Sequence, residues 1–236
     1  MQWMGDLLSA VYDAHDSQTL LDEVQAAARH LGFDYCAYGL RAPLPVTRPR
    51  IVMLSNYQRS WCEHYHASGY LLRDPTVLHC QRSMEPVVWG DEVFAGAPQL
   101  WDEARHAGLN HGWAQSCLEG RNGGGMLTLA RSAEAIGESE LRAHEPRMRW
   151  LVNVAHQGFS RMLTDTWQPK PKAPLSERER EVLRWAADGK TLNEVADILT
   201  LSIETVKFHT RNAALKLGAA NRTAAVARAA LMGMLG

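Results

Sequence analysis

Three prolines fall within seven residues at Gln168-Pro169-Lys170-Pro171-Lys172-Ala173-Pro174. Each fixes its own φ, removes a backbone donor and disfavours helix at the residue before it, so the run is extended and ends any helix entering it. Composition changes across it. Residues 1–169 hold fourteen Arg and no Lys against nineteen acids, a net of −5, whereas 170–236 hold five Lys and six Arg against seven acids, a net of +4. Seven of the eight Trp precede the run. A surface loop inside one domain can carry prolines, but a shift in charge and aromatic content on its two sides marks a linker. The 236 residues therefore read as a domain at 1–165, a linker at 166–174 and a smaller domain at 175–236.

The near-neutral total of −1, with 46% hydrophobic and 22% charged residues, excludes a disordered chain and a strongly basic nucleic-acid coat. No stretch of eighteen apolar residues is long enough to span a membrane. Met1–Asp16 carries Asp6, Asp13 and Asp16 without a basic segment leading into an apolar one, unlike a secretory leader. Cys36, Cys62, Cys80 and Cys117 show no C-x-x-C spacing. A reduced, cytoplasmic protein is the expectation.

In the larger domain, Leu7–Tyr12 and Leu20–Leu31 repeat apolar residues at helical spacing, the second stretch closing at Gly32. Phe33–Arg41 and Ile51–Asn56 are β-rich and joined across Pro43, Pro45 and Pro49. A helix from Trp61 to Gly69, a short strand at Val87–Trp89 and a helix at Pro98–Ala107 follow. Gly112–Leu118 and Met126–Arg131 flank Asn122-Gly123-Gly124-Gly125, a hairpin signal. Glu138–Leu163 is a long amphipathic helix, with Pro146 either near its start or kinking it. This order implies an antiparallel sheet flanked by helices, an α/β/α sandwich, within an α+β chain.

Chemistry in this half is limited by what is missing. There is no G-x-S-x-G elbow and no glycine-rich phosphate loop. Glu63-His64-Tyr65-His66 and His79-Cys80 are short runs on helical stretches, where alternate residues face apart, so a metal-sensing or enzyme-like domain is disfavoured. A phosphorylated receiver domain needs a lysine beside its acceptor carboxylate, and none is present. Tyr57, Trp61 and Tyr65 repeat every four residues ahead of Asp74-Pro75. They read either as an aromatic stripe in the core, with Asp74 capping the next helix at Thr76, or as the wall of a site for a ligand both apolar and polar.

The smaller domain carries two capping boxes, Ser176-x-x-Glu179 and Thr191-x-x-Glu194, and further caps at Ser202 and Asn221. Four short helices with a tight turn between the second and third make a helix-turn-helix. Lys207 and Arg211 share one face of the third, where cations meet phosphates and guanine edges of double-stranded DNA.

Leu175-Ser-Glu-Arg-Glu-Arg-Glu-Val-Leu-Arg-Trp, Gly189-Lys-Thr, Ser202-Ile-Glu-Thr-Val-Lys-Phe-His209 and Lys216-Leu-Gly-Ala resemble the DNA-binding domain of LuxR-type regulators. Ser55-Asn-Tyr57, Trp61, His64-Tyr65, Gly69-Tyr70, Asp74-Pro75-Thr76, Trp89 and Gly108–Gly112 are similar to the acyl-homoserine-lactone-binding domain of the same family. The resemblance implies a quorum-sensing transcription regulator that binds an N-acyl-homoserine lactone, needs no cofactor or metal, and reads a palindromic site as a homodimer beside RNA polymerase. It implies that Trp61 donates to the lactone carbonyl, Asp74 accepts the amide N–H, and Tyr57 with Thr128 bonds the acyl carbonyl. Tyr65, Trp89 and Trp113 would wall a closed pocket. Lys207, Phe208 and Arg211 would reach base edges, with Thr205, His209 and Lys216 nearer the backbone and Lys190, Thr191 and Arg222 adding phosphate contacts. Cys62 stands where some relatives carry Arg, and Ser116-Cys117 and glycines 123–125 lie beside the expected acyl channel. The alternative is a regulator of the same fold that senses another small molecule or acts without one.

Overall fold

The apolar repeats near the N-terminus form the first two helices of the computed structural model, which describes residues 2–42, 44–118, 124–167 (backbone alone for 164–167) and 171–236. The chain divides into two compact units, Met1–Ala42 with Arg50–Trp167, and Pro43–Pro49 with Gln168–Gly236. In the first, α1 (Gln2–Asp13) precedes α2 (Ser17–His30), whose N-cap Asp16 accepts the amide hydrogens of Gln18 and Thr19. Gly32, at φ +86°, lets the chain leave α2 in the left-handed region that side-chain-bearing residues avoid. There follow β1 (Tyr35–Arg41), β2 (Ile51–Ser55), α3 (Arg59–Ala67), a 3₁₀ turn at Tyr70–Leu72, α4 (Pro75–Cys80), β3 (Val87–Val88), α5 (Pro98–His106), β4 (His111–Leu118), β5 (Gly124–Arg131) and α6 (Glu138–Trp167).

The five strands form one antiparallel sheet in the order β2-β1-β5-β4-β3. Alternation along the strands sends side chains to two faces. Cys36, Tyr38, Leu40, Trp113, Leu127 and Leu129 pack against α1, α2 and α6 in one core that also holds Leu20, Val24, Leu151 and Phe159. Ala37, Gly39, Thr128, Ala130 and Ala114 face the other way, toward α3, α4, α5 and the 3₁₀ turn. The α/β/α sandwich read from the sequence is the fold.

Two element bounds differ from the expectation. Pro146 lies inside α6 beyond its first turn, and the helix continues past it as far as Trp167, beyond the apolar repeat that ended at Leu163. The hairpin strands pair in the expected antiparallel sense, but Asn122-Gly123 lies outside the described residues, and Gly124 and Gly125 belong to β5 itself.

The second unit holds α7 (Glu177–Ala187), α8 (Leu192–Leu199), α9 (Ile203–Leu217) and α10 (Arg222–Leu231). Both capping boxes form, Ser202 accepts from Thr205 N, and Asn221 accepts from Ala224 N. Val182, Val195, Ala196 and Val206 pack the first three helices together, and Leu175, Leu183, Ala213, Leu217, Ala225 and Ala229 bring in the fourth. Only Thr200–Ser202 separate α8 from α9, with Thr200 in the left-handed region at φ +55°.

Candidate functional site: an acidic-aromatic cavity and an exposed recognition helix

Small residues on one sheet face and short helices above it leave a cavity of about 270 Å³. Ala37, Gly39, Met126 and Thr128 supply the floor, and Trp61, Tyr65, Leu71, Val77, Leu100 and Ala104 the roof. Trp61 and Tyr65, four apart on α3, share a face and are each 8% exposed. Tyr57 precedes α3 and reaches the cavity from the loop after β2, edge-on to Tyr35. The stripe and the pocket wall are therefore one surface: these rings pack into the core and line the cavity together.

Asp74 is likewise a cap and a cavity group. Its Oδ1 accepts from Thr76 N (2.8 Å) and Thr76 Oγ1 (2.6 Å), starting α4, while Oδ2 accepts the Tyr65 hydroxyl (2.9 Å). Two lone pairs on each oxygen leave Oδ2 with capacity for one further donor. Burial, together with the Asp74 charge, holds the Tyr65 hydroxyl far above its ordinary range, and burial does the same to Tyr57, so both stay protonated donors. Among the described residues nothing hydrogen-bonds the Trp61 indole N–H or the hydroxyls of Tyr57 and Thr128. One acceptor and three free polar tips thus meet in a mainly apolar chamber.

Trp89 closes one side, stacked edge-on with Phe94 and Trp101. It sits directly over Gly112, where a Cβ would come within 2.3–2.6 Å of three ring atoms. Only glycine admits the ring there. Cys62 lines the cavity with its thiol 3.5 Å from Ser55 Oγ, and burial pushes the Cys80 thiol up to about 12, leaving it inert.

Trp113 is a correction. It pairs with Leu129, one step out of phase with Ala114–Thr128, so its ring enters the α2–α6 core and is fully buried there. Nor is the chamber closed: at its far end it is lined by Arg41, Met53 and Leu118, all exposed. Ser116 instead donates to Ser83 O (2.5 Å), and Cys117 contacts Asn153 of α6.

On α9, Val206, Ala213 and Leu217 face inward, while Lys207, Phe208 and Arg211 stand out to solvent, Phe208 being 59% exposed. Thr205 and His209 flank that stripe half-buried, and Lys207 pairs with Glu204 at 2.7 Å. Lys216 is engaged within its own unit. Its ammonium lies 2.7 Å from Glu179 Oε2, a buried carboxylate that also accepts from Ser176 N, so it braces α9 against the cap of α7. Arg222 donates to the Lys190 carbonyl, Lys190 lies 3.7 Å from Glu194, and Thr191 holds the α8 cap. These three act first on their own unit.

Comparison with known proteins matches residues 16–159 to the autoinducer binding domain and 173–229 to the luxR family of bacterial regulatory proteins. The chain belongs to the LuxR family of autoinducer-binding transcription regulators. It is 40% identical over 235 residues to the transcriptional activator AnoR of Acinetobacter nosocomialis, covering 99% of both chains. It is 37% identical to the quorum-sensing regulator RhlR of Pseudomonas aeruginosa, covering 99% of this chain and 96% of that one. Escherichia coli SdiA, solved in complex with octanoyl-rac-glycerol, superposes with a TM-score of 0.82 at 30% identity, over 99% of this chain and 96% of that one.

For a LuxR-family chain, the apolar wall was the least visible part of the site in sequence. Met53, Met126, Leu71, Val77 and Cys80 line the cavity. They come from four separated segments, and no local spacing connects them. Glu103 was also missed, although it binds Tyr70 and His64 from more than thirty residues away.

Proposed function

We propose that this chain senses an N-acyl-homoserine lactone in the cavity and, as a homodimer, binds a palindromic promoter site to control access or activity of RNA polymerase. The observation that carries the reading is the polar set at one end of an apolar chamber. Asp74 Oδ2 takes the ligand amide N–H, Trp61 donates to the lactone carbonyl, and the hydroxyls of Tyr57 and Thr128 donate to the acyl carbonyl. Each bond is strengthened by exclusion of water behind Tyr65 and Trp89. The acyl tail follows Gly39, Met126 and Met53 toward the open end, each buried methylene contributing roughly 0.8 kcal/mol. A single recognition helix spans a half-site, and two-fold symmetry supplies the second.

The test is to express the protein with and without N-octanoyl-homoserine lactone, denature it and identify what is released by mass spectrometry. One lactone per chain is expected. Recovery of none, with no change in melting temperature across a panel from butanoyl to dodecanoyl, overturns the lactone reading and leaves another amphiphile, such as an acylglycerol, as the ligand.

A further inference from the structure

The roof of the cavity is built from pieces too short to hold themselves. α3 and α5 have nine residues each, the 3₁₀ turn has three, and neither helix has a side-chain bond at its N-cap. Among the described residues, none of them hydrogen-bonds the sheet through its backbone. α3 is tied to α4 through Tyr65 and Asp74. Toward α5, one residue collects the bonds. Glu103 Oε2 accepts the Tyr70 hydroxyl at 2.5 Å and His64 Nε2 at 2.7 Å, and Oε1 accepts Gln99 Nε2 at 2.9 Å. The carboxylate is ionised at neutral pH, so the His64 Nε2 carries the hydrogen. Among the described residues, no other side chain hydrogen-bonds both α3 and the 3₁₀ turn to α5.

What Glu103 holds is the wall that faces the ligand. Tyr70 and His64 pack on the Trp61 ring at centroid distances of 6.5 and 6.2 Å, and Tyr70 meets Tyr65 edge-on at 5.8 Å. Leu100 and Ala104, on either side of Glu103 in α5, line the cavity directly. Glu103 itself is part-buried and does not line it. Resting on the lactone reading above, we infer that Glu103 is a positioning residue for signal binding: through Tyr70 and His64 it sets the Trp61–Tyr65 wall at the distance from Asp74 that the ligand head group requires. A clamp on the head-group end acts on every ligand equally, whatever its tail.

The experiment measures Kd for butanoyl-, hexanoyl-, octanoyl- and decanoyl-homoserine lactone on the full-length wild type, Glu103→Gln, Glu103→Leu and Tyr70→Phe. Gln keeps an acceptor but loses the charge, and Phe removes one hydroxyl while keeping its ring, so both stay close to the native packing. Kd should rise about threefold in Glu103→Gln and Tyr70→Phe and about tenfold in Glu103→Leu. The rise should be the same for every chain length, leaving the gain in affinity per methylene unchanged. Combining Glu103→Gln with Tyr70→Phe in one chain should cost less than the sum of the singles, because the first weakens and the second removes the same Tyr70–Glu103 bond. Val24→Ala, which thins the core on the opposite face of the sheet, should lower the melting temperature and leave Kd of the folded protein alone. Wild-type affinity in all three roof variants, or a Kd rise in Val24→Ala matching theirs at equal loss of stability, overturns the inference while the lactone reading stands. A wild type that binds no member of the panel overturns both.

Discussion

Asp74 does two things with two oxygens, and its variants should separate them. Asn is as good an N-cap as Asp, so Asp74→Asn should leave α4 and the melting temperature nearly unchanged. It replaces an ionised acceptor by a neutral one, costing about 1.5–3 kcal/mol of ligand affinity, or roughly ten- to hundredfold in a reporter dose-response. Asp74→Ala should add the loss of the cap, about 1 kcal/mol, visible in thermal melts without ligand. A dose-response unchanged in Asp74→Asn would remove the acid from the site. Glu103 offers a titration test. The Tyr70 hydroxyl above all, with Gln99 and His64, lowers its carboxyl to about 2. A depressed carboxylate stabilises the fold above its unfolded value of about 4.3 and loses that contribution as pH falls through the folded one. The melting-temperature advantage of wild type over Glu103→Gln should therefore be full at neutral pH and shrink only below about pH 4. An advantage that disappears between pH 7 and 5 would show that the carboxylate is not held this way.

At the scale of elements, the caps were the most legible feature, because a capping box is a local bond between residues three apart. Ser176, Thr191, Ser202 and Asn221 each start a helix where their side chains demanded it. Strand phase was less legible: Trp113 and Thr128 both sit in the central hairpin, and only the register of β4 against β5 tells that they face opposite sides. Element ends also drifted, α3 running over Arg59–Ala67 rather than from Trp61 to Gly69. The brace between α9 and α7 was hidden by distance along the chain, and it changes what the cations of α9 should do. Lys216→Ala leaves Glu179 buried and unpaired, so the DNA-binding unit should lose about 2–3 kcal/mol of stability while the salt dependence of DNA binding keeps its slope. Arg211→Ala should do the reverse, sparing stability and costing about 1–3 kcal/mol on the preferred duplex with relaxed sequence preference. Mobility shifts across a salt series, read beside thermal melts of the same samples, distinguish the two patterns. Equal salt slopes with equal stability in both variants would contradict the assignment.

Taken whole, the ligand-binding unit has a filled side and a hollow side. The face toward α1, α2 and α6 is closed by Leu20, Val24, Leu151, Phe159 and Trp113, all essentially inaccessible, whereas the face toward α3, α4 and α5 encloses the cavity. Contacts missing around a cavity cost stability locally, so opening should be easiest in the roof. Amide hydrogen exchange of ligand-free protein should be slow in α2 and the middle of α6 and fast in α3 to α5, and N-octanoyl-homoserine lactone should protect the roof selectively. Ligand at about a hundred times its Kd adds about 2.7 kcal/mol, which should raise the melting temperature by about 5–10 °C. Uniform protection across both faces would mean that the cavity is not where the ligand acts. The shared carboxylate of Asp74 carries this partition into evolution. A lineage drifting toward a new signal can exchange that acid only for another capping residue without loosening α4, so purifying selection on the fold narrows what can stand at position 74. On the proposed reading, innovation is channelled to Met53 and Met126, which line the cavity and cap no helix, and signal dialects should diverge there first.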